Sequence, residues 1–273
     1  MWTEANASRR LDGQVAIVTG GGGAIGRAMA LTLHRAGARI VVADLRQDAA
    51  DAVSNAITSA GGTALTWCGD ITVPAQAEAL VRDAATFGGR LDLLVNNAGR
   101  IHITPLIELP LDLWRSVFAA NVEAPLLLTQ AAAAVMRAQE PLPATGCRGK
   151  IINVSSPAAE IGRPFLAAYG ASKAALNHLT KSSALVFADD LISVTVLYPG
   201  SVMEGMMGAV AEGLSAAEKR SVEDVLGERT AGAPLGRFQR PEETAGAALY
   251  IAAYAGMGLN GRLVWSEPHV EAL

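Results

Sequence analysis

Two residues one helical turn apart carry the clearest potential for chemistry in this sequence. Tyr169 and Lys173 are four positions apart in a stretch whose pattern predicts a helix, so their side chains share one face. A phenol is a poor base at neutral pH, but an adjacent ammonium favours the phenolate and lowers the phenol's pKa. The pair therefore predicts a proton-transfer site with Tyr169 as general acid and base. The alternative is an ordinary helix surface that carries a Tyr and a Lys.

Two serines stand where such a site would need a second hydroxyl group. Ser155 and Ser156 directly follow a predicted strand at 150–154. In an open α/β sheet, ligands bind beyond the carboxyl ends of the strands, so a hydroxyl there can reach a bound substrate. This position favours the catalytic interpretation of the Tyr and Lys pair over the passive one.

A glycine-rich turn follows the predicted strand at 15–19, and a helical pattern begins directly after the turn. Glycines permit a tight turn and let backbone N–H groups approach a pyrophosphate, which the positive end of the next helix attracts. The residues that this turn would place at a dinucleotide are Gly20, Gly22, Gly23, Ala24, Ile25 and Gly26. The alternative is an ordinary glycine-rich connection between a strand and a helix.

An acidic residue stands at the distance that a dinucleotide site requires. Asp44 closes the second predicted strand 18 residues after Gly26, close to the offset at which a carboxylate accepts hydrogen bonds from the adenosine ribose. A 2′-phosphate would be repelled there, so Asp44 predicts a preference for NAD over NADP. Arg46 is near enough in sequence to soften that preference, and Asp44 could instead cap a helix.

The elements that must position these residues alternate between short β-branched runs and longer stretches with helical spacing. Most of the runs lack polar alternation, as expected of strands that helices cover on both faces. Strands are predicted at 15–19, 39–43, 64–67, 91–95, 150–154, 192–197 and 261–265. Helices are predicted at 25–36, 47–60, 75–87, 111–119, 125–139, 168–187 and 242–255. The pattern predicts an α/β fold: a single-domain, Rossmann-like, doubly wound sheet of seven parallel strands with helices on both faces.

Three segments stand outside this alternation. Residues 1–10 are predicted to be a flexible N-terminal tail ahead of one domain that spans 11–273. Segment 140–149 contains two prolines and two glycines, which predicts a loop before the fifth strand. Segment 203–233 begins with methionines and continues as charged, helix-like sequence, which predicts a mobile lid over the substrate site.

Composition argues against several other classes of protein. The chain has 273 residues, 51% of them hydrophobic, and a net charge of −4 without a long basic run, which argues against nucleic acid and anionic lipid as partners. No stretch of about 18 apolar residues predicts a membrane span, and residues 1–10 lack the apolar core of a secretory signal. The two cysteines have no metal-ligand spacing, so we expect no metal site, reduced thiols and a cytoplasmic location.

Taken together, these features resemble the short-chain dehydrogenase/reductase family over nearly the whole chain, from Leu11 to about Gly261. The resemblance also rests on further motifs in family order, namely Asp70, Asn96-Asn97-Ala98-Gly99, Asn121, Pro199-Gly200 and Pro234-Leu235-Gly236-Arg237. It implies a nicotinamide-dependent oxidoreductase and a dimeric or tetrameric assembly.

The resemblance also implies roles for the residues at the centre of the site. Tyr169 would be the general acid and base, while Lys173 would lower its pKa and hydrogen-bond the nicotinamide ribose. Ser156 would steady the substrate oxygen, because it stands 13 residues before Tyr169 as in typical members, and Ser155 would support the strand end. Asn121 would hold a water molecule in a proton relay.

Further positions are implied to contact the cofactor. Outside the glycine turn they are Asp44, Asp70, Ile71, Asn97, Ala98, Gly99, Tyr169, Lys173, Pro199, Gly200 and Val202. Asp70 and Ile71 match positions at the adenine. Asn97 could equally serve the sheet alone, because a buried Asn often only satisfies backbone groups. The chain departs from the family pattern at Ala24, Ala159, Glu204 and Ser266, which puts cofactor affinity and assembly in question but removes no group that the chemistry needs.

The resemblance makes the segment between Ser156 and Tyr169 one wall of the substrate pocket. Residues 157–166 are mostly apolar, which predicts a small to medium, largely apolar alcohol or ketone as substrate. Arg163 or His102 could instead pair with a carboxylate of the substrate. The alternative for both of these residues is a solvated surface position.

The predicted helices at 125–139 and 168–187 bear on assembly, because their Ala/Leu faces are more apolar than one sheet face requires. This excess predicts a homodimer or homotetramer, unless it only reflects a biased composition. For function, the sequence predicts hydride transfer between NAD(H) and a small to medium alcohol or ketone. Two alternatives stay open: an NAD-binding scaffold or sensor without turnover, and an epimerase that acts through a transient ketone.

Overall fold

One twisted parallel sheet organises the chain. The computed structural model describes residues 11–254 and 256–266, so the tail predicted at 1–10 lies outside the described residues. Within them, seven strands form a sheet in the order β3-β2-β1-β4-β5-β6-β7, which confirms the predicted fold class. The strands are β1 (Val15–Thr19), β2 (Arg39–Asp44), β3 (Ala64–Cys68), β4 (Leu93–Asn96), β5 (Gly149–Val154), β6 (Ile192–Tyr198) and β7 (Leu263–Trp265).

The described residues also form nine α-helices. They are α1 (Ala24–Arg35), α2 (Gln47–Ser59), α3 (Pro74–Gly88), α4 (Leu111–Phe118), α5 (Ala124–Arg137), α6 (Ala167–Val186), α7 (Met206–Glu218), α8 (Val222–Ala231) and α9 (Pro241–Ala253). The observed strand and helix ends lie within two residues of the predicted ones. The predicted strand at 91–95 begins two residues late because the Leu91 N–H donates to the Gln139 side chain (2.7 Å) instead of a neighbouring strand. The one at 261–265 begins late because Gly261 has a left-handed φ of 71°.

Helices bury both faces of the sheet, as the lack of polar alternation in the strands requires. On one face, α1 and α9 pack against each other and bury Met29 and Leu33 completely. On the other face, α3 and α5 bury Leu80, Leu128 and Met136 completely. Each such side chain contributes about 1.5–3 kcal/mol through its removal from water, so this packing holds the carboxyl edge of the sheet in a fixed geometry.

The segment predicted as a lid forms two helices, α7 and α8, outside the main layers. Its small apolar cluster contains Val210, Ala211, Leu214 and Val225, with Ile103 and Phe165 packed against them. Ile103 follows β4 and Phe165 follows β5, so these contacts place the two helices at the carboxyl edge of the sheet. The lid segment also approaches the glycine turn, because a Cβ on Gly205 would lie 3.4 Å from the Cβ of Ala24.

One stretch of described helix, Leu111–Arg137, is long and apolar enough to cross a membrane by length and composition alone. It consists of α4, a π-helical turn at Ala119–Glu123 and α5, and 44% of its most apolar window is buried inside the fold. The buried side of α5 packs against the sheet. This is the packing of a core helix in an α/β protein.

Candidate active site

The first turn of α6 brings Tyr169 next to the loop that carries Ser156. Gly170 lies so close to this loop that a Cβ on it would be 2.7 Å from the carbonyl oxygen of Ala158. The Ser156 hydroxyl accepts a hydrogen bond from the Ala158 N–H (3.2 Å), which fixes the start of a short 3₁₀ turn. In this arrangement the Ser156 hydroxyl is near enough to the Tyr169 phenol to lower its pKa. The structure thus brings together two of the predicted catalytic side chains.

The Tyr169 phenol is in a poorly solvated environment. Burial raises its pKa, and the nearby Ser156 hydroxyl opposes that rise in part. The sequence predicts a lowered pKa for this phenol when the ammonium and an oxidised nicotinamide are both beside it. In the protein by itself the pKa is raised, because the effect of desolvation is larger than that of the favourable contact. Tyr169 is therefore held as a proton donor in the protein alone.

Lys173 lies one turn further along α6 and is buried. Its Nζ donates a hydrogen bond to the carbonyl of Val154, the last residue of β5 (2.8 Å), and lies 5.7 Å from the centre of the Tyr169 ring. Burial lowers its pKa to about 8. The ammonium is thus fixed between the strand end and the phenol, as the four-residue spacing predicts.

Asn121 sits in the π-helical turn between α4 and α5 and is completely buried. Its Oδ1 accepts from the Arg100 N–H (2.7 Å), and its Nδ2 donates to the Arg100 carbonyl (2.9 Å) and the Ser172 hydroxyl (2.9 Å). These bonds tie the segment after β4 to α6. Both N–H bonds of the side-chain amide are already in hydrogen bonds. A water molecule of the predicted relay would therefore have to donate to an oxygen of Asn121, either Oδ1 or the backbone carbonyl oxygen.

Ser155 serves the strand end, as its position predicts. Its N–H donates to the Leu197 carbonyl (2.8 Å), and its hydroxyl donates to the carbonyl of Lys173 (3.3 Å). Ser155 is buried, whereas Ser156 is partly exposed. The two adjacent hydroxyls thus have different environments, and the hydroxyl of Ser155 is already committed to the Lys173 carbonyl.

The glycine turn leaves space on one side only. A Cβ on Gly26 would lie 2.1 Å from the Gly20 carbonyl oxygen, and one on Gly22 would lie 2.5 Å from the Ala49 side chain. A Cβ on Gly23 would meet nothing closer than 3.4 Å, so the chain does not itself fill that side. Because no side chain caps the N-terminus of α1, its first N–H groups can receive an anion. The turn therefore fits a dinucleotide pyrophosphate.

The Asp44 carboxylate is held at the end of β2 by backbone groups. Its Oδ2 accepts from the Gly22 N–H and its Oδ1 accepts from the Arg46 N–H, each at 3.0 Å. Each carboxylate oxygen has a further lone pair, so the group can still accept hydrogen bonds from ribose hydroxyls. The Arg46 contact is made by its backbone, and its side chain is exposed.

The Asn97 side chain joins the carboxyl end of β4 to the glycine turn. Its Nδ2 donates to the carbonyls of Thr19 (2.9 Å) and Gly20 (3.3 Å), while the Thr19 hydroxyl accepts from the Asn97 and Ala98 N–H groups (both 3.0 Å). The structure supports the structural interpretation of Asn97, because its amide donors serve the turn. Ala98 and Gly99 follow Asn97 directly in the chain. A Cβ on Gly99 would lie 3.1 Å from Asn121 Oδ1, so this segment also runs close to Asn121.

Asp70 and Ile71 lie past the end of β3, both partly buried. The Asp70 carboxylate accepts from the N–H (2.9 Å) and hydroxyl (2.7 Å) of Thr72, and these two hydrogen bonds lower its pKa. The orientation of the Asp70 carboxylate is therefore set by hydrogen bonds within its own turn. Ile71 packs against the core cluster on the α3 side of the sheet.

Sequence reasoning missed Gln239, which supports the turn at Pro199 and Gly200. The buried Gln239 side chain accepts from the Gly200 N–H (3.0 Å) and donates to the Ser266 carbonyl (2.7 Å). Its backbone also pairs with Val202 in an isolated bridge. No local pattern marks this residue, because its partners are far away in the sequence.

Known proteins share this sequence and geometry. The chain matches the family profile described as short chain dehydrogenase over residues 14–214. It is 35% identical over 251 residues to a sorbitol dehydrogenase of Cereibacter sphaeroides, which covers 89% of this chain and 91% of that protein.

Two solved structures resemble the fold over almost its whole length. A 7α-hydroxysteroid dehydrogenase, solved with NADH and 7-oxo glycochenodeoxycholic acid, is 30% identical with a TM-score of 0.84, covering 97% of this chain and 96% of that one. A protein from Beutenbergia cavernae, described as an NAD(P)-dependent gluconate 5-dehydrogenase and solved with NADP, is 32% identical with a TM-score of 0.83, covering 94% and 96%. Similar proteins therefore bind either nicotinamide cofactor.

Proposed function

The chain belongs to the short-chain dehydrogenase/reductase family of oxidoreductases, and on that basis we propose that it transfers hydride between NAD(H) and an alcohol or ketone. The observation that carries the proposal is the buried Lys173 ammonium, which donates to the Val154 carbonyl (2.8 Å) and lies 5.7 Å from the centre of the Tyr169 ring. The Ser156 hydroxyl is near enough to the same phenol to lower its pKa. This geometry supports a site in which a hydroxyl, a phenol and an ammonium act together at the carboxyl edge of the sheet, where α/β enzymes bind ligands.

Each of these groups has a defined task in the proposed reaction. In reduction, Tyr169 donates its phenolic proton to the substrate oxygen while the Ser156 hydroxyl hydrogen-bonds that oxygen. In oxidation, the Tyr169 phenolate accepts the proton of the alcohol. The nicotinamide, when bound, supplies or accepts the hydride at the reacting carbon. Lys173 favours the phenolate through its charge, and its remaining donors are free for the nicotinamide ribose.

We propose NAD as the preferred cofactor because Asp44 presents a carboxylate at the end of β2. Its backbone hydrogen bonds orient both oxygens and leave lone pairs for the two ribose hydroxyls. A 2′-phosphate at the same place would meet this negative charge at close range. The remaining cofactor contacts are proposed at the open side of Gly23, at Ala24 and Ile25, at Asp70 and Ile71, and along Ala98, Gly99, Pro199, Gly200 and Val202.

We also propose a cytoplasmic homodimer or homotetramer. Both cysteines in the chain are unpaired, with Cys68 exposed and Cys147 buried, which suits a reducing compartment. Leu126 on α5 and Leu185 on α6 are exposed large apolar side chains, and a partner subunit would cover them. Light scattering of the purified protein should give the mass of two or four chains, and the mass of one chain would contradict the assembly.

The proposed activity is tested by incubating the purified protein with a panel of secondary alcohols and either NAD or NADP. We expect reduced nicotinamide to accumulate in proportion to the ketone formed, faster with NAD. Tight binding of NAD without reduced nicotinamide on any alcohol would favour the scaffold or sensor. Inversion of an alcohol centre without net release of reduced cofactor would favour the epimerase.

A further inference from the structure

The lid helices leave the body of the fold and return to it at one place. The chain leaves the sheet after Tyr198, the last residue of β6, and passes through α7 and α8 before it returns to α9. Val202 on the outgoing side pairs with Gln239 on the returning side in an isolated parallel bridge, and the Gln239 N–H donates to the Ser201 carbonyl (2.7 Å). The two ends of this lid excursion, residues 203–238, are therefore joined at their base.

The side chain of Gln239 makes further hydrogen bonds at this base. It is buried, and its Oε1 accepts from the Gly200 N–H (3.0 Å), the Ser266 hydroxyl (2.9 Å) and the Thr244 hydroxyl (3.3 Å). Its Nε2 donates to the Ser266 carbonyl (2.7 Å). A carbonyl oxygen has two lone pairs, so the protein itself uses this acceptor fully. These four residues form a buried hydrogen-bond network, the Gln239 clasp, and such a network rigidifies the segments it joins.

Ser266, which departs from the family pattern, connects the last strand to the Gln239 clasp. Its N–H donates to the Tyr198 carbonyl (3.0 Å), and its hydroxyl also accepts from the Gly200 N–H (3.3 Å). The rings of Tyr198 and Trp265 make an edge-to-face contact beside it, with 4.7 Å between their centres. The ends of β6 and β7 and the base of the lid excursion are thus fixed to one another.

The Gln239 clasp lies at one end of the proposed cofactor site. The Ser155 N–H donates to the Leu197 carbonyl (2.8 Å), so the residues after β6 run beside Ser155 and Ser156. Asp44 and the glycine turn follow β2 and β1, on the other side of β4 in the sheet. A dinucleotide that starts at Asp44 and reaches Tyr169 therefore places its nicotinamide end beside β5 and β6. This step rests on the proposed function.

We propose that Gln239 is a positioning residue for the nicotinamide end of the cofactor. Its side chain holds the Gly200 turn and both ends of the lid excursion in one arrangement, so this part of the site is formed before the cofactor binds. Preorganisation lowers the ordering cost of binding, and its loss weakens only those ligands that reach this end of the site. Because the Gln239 side chain acts through Gly200, its effect is on nicotinamide binding and not on proton transfer by Tyr169.

The test compares NADH with ADP-ribose, which has the adenosine and pyrophosphate of the cofactor but no nicotinamide. Both are titrated calorimetrically into the full-length wild type, Gln239→Leu, Ser266→Ala and Gln139→Leu. Ser266→Ala is the milder variant, because it removes only one hydroxyl of the clasp. Gln139→Leu is the matched control, since its amide accepts from the Leu91 N–H (2.7 Å) and donates to the Leu91 and Arg148 carbonyls (both 2.8 Å) at the amino ends of β4 and β5.

We expect Gln239→Leu to bind NADH about tenfold more weakly than the wild type does, and ADP-ribose within about twofold. Ser266→Ala should shift the ratio of the two affinities in the same direction by about threefold, and Gln139→Leu should leave it unchanged. The inference is overturned if Gln239→Leu weakens both ligands equally or neither, or if Gln139→Leu shifts the ratio as far. If Gln239→Leu does not fold, an unchanged ratio in Ser266→Ala overturns it.

Amide hydrogen exchange without cofactor gives a readout that does not depend on a ligand. Gln239→Leu should exchange faster than the wild type at Gly200 and in α7 and α8, and at the same rate in β1 and β4. Equal exchange in the two proteins throughout would contradict the Gln239 clasp. Failure of the wild type to bind NADH would instead count against the proposed function, and the exchange rates would then decide whether the clasp holds the lid excursion.

Discussion

Burial determines the protonation states of the two central side chains. It raises the pKa of the Tyr169 phenol and lowers that of the Lys173 ammonium to about 8, because desolvation opposes the charged form of each group. In the protein alone, the phenol therefore keeps its proton. An oxidised nicotinamide bound beside the phenol would add a positive charge and so favour the phenolate when an alcohol must be deprotonated. One residue can thus serve both directions of the reaction.

Removing the Asp44 carboxylate should narrow the preference for NAD over NADP. In Asp44→Ala the ribose loses its acceptor and a 2′-phosphate no longer meets a negative charge, so the NAD/NADP ratio of kcat/KM should fall about ten- to a hundredfold. Asp44→Asn keeps the shape and one acceptor oxygen for the Gly22 N–H, and separates the effect of charge from that of the turn. Steady-state kinetics with both cofactors make the measurement, and unchanged ratios in both variants would show that Asp44 does not select the cofactor.

The elements that short-range patterns determine could be predicted from the sequence. The glycine turn with α1 and the helix of Tyr169 and Lys173 depend on neighbouring residues, and the pattern predicts β1 with the same ends that the structure shows. The π-helical turn that carries Asn121 could not be predicted, since its hydrogen bonds depend on how α4 and the turn itself pack against α6. The hydrogen bond from the Gly200 N–H to Gln239 could not be predicted either, because the two residues are 39 positions apart.

Two glycines of the turn give a matched pair of variants. At Gly26 the chain itself occupies the space that a side chain would need, whereas at Gly23 only a bound cofactor would occupy it. Gly26→Ala places a methyl 2.1 Å from the Gly20 carbonyl oxygen, so it should lower the free energy of unfolding by about 1–3 kcal/mol or more. Gly23→Ala should leave stability within about 1 kcal/mol, because φ is −78° and the Cβ is unobstructed. Its NAD affinity should nevertheless fall.

Urea unfolding and NAD titration of both glycine variants provide the measurements. If Gly23→Ala bound NAD as tightly as the wild type, the pyrophosphate would not lie against the open side of this turn. A fully stable Gly26→Ala would show instead that the turn is less tightly packed than the structure indicates.

Buried lysines connect the layers of the whole molecule. Lys150 of β5 donates to the carbonyls of Ile251 and Ala252 at the end of α9, and Lys173 of α6 donates to the end of β5. Burial lowers the pKa of each to about 8, from an ordinary value of 10.5. Both ammonium groups therefore bear a desolvation cost at neutral pH that the unfolded chain does not.

This cost predicts how stability changes with pH. Between pH 8 and 9 the unfolded lysines stay protonated while the folded ones lose their protons, so the free energy of unfolding should rise by about 1 kcal/mol for each lysine. The variant Lys150→Met removes one of the two groups and should reduce this rise by about half. Urea unfolding at pH 8 and pH 9 measures this rise in the free energy of unfolding. Equal rises in the variant and the wild type would show that Lys150 does not contribute to it.

The most direct measurement compares turnover and cofactor binding in Tyr169→Phe, with Tyr250→Phe, a change at an exposed tyrosine on α9, as control. Phe removes only the phenolic hydroxyl, so NAD should bind with nearly unchanged affinity while kcat falls by about a hundred- to ten-thousandfold on the best alcohol of the panel. Tyr250→Phe should keep full activity. Near-normal turnover in Tyr169→Phe would contradict proton transfer by this residue, whatever the substrate proves to be.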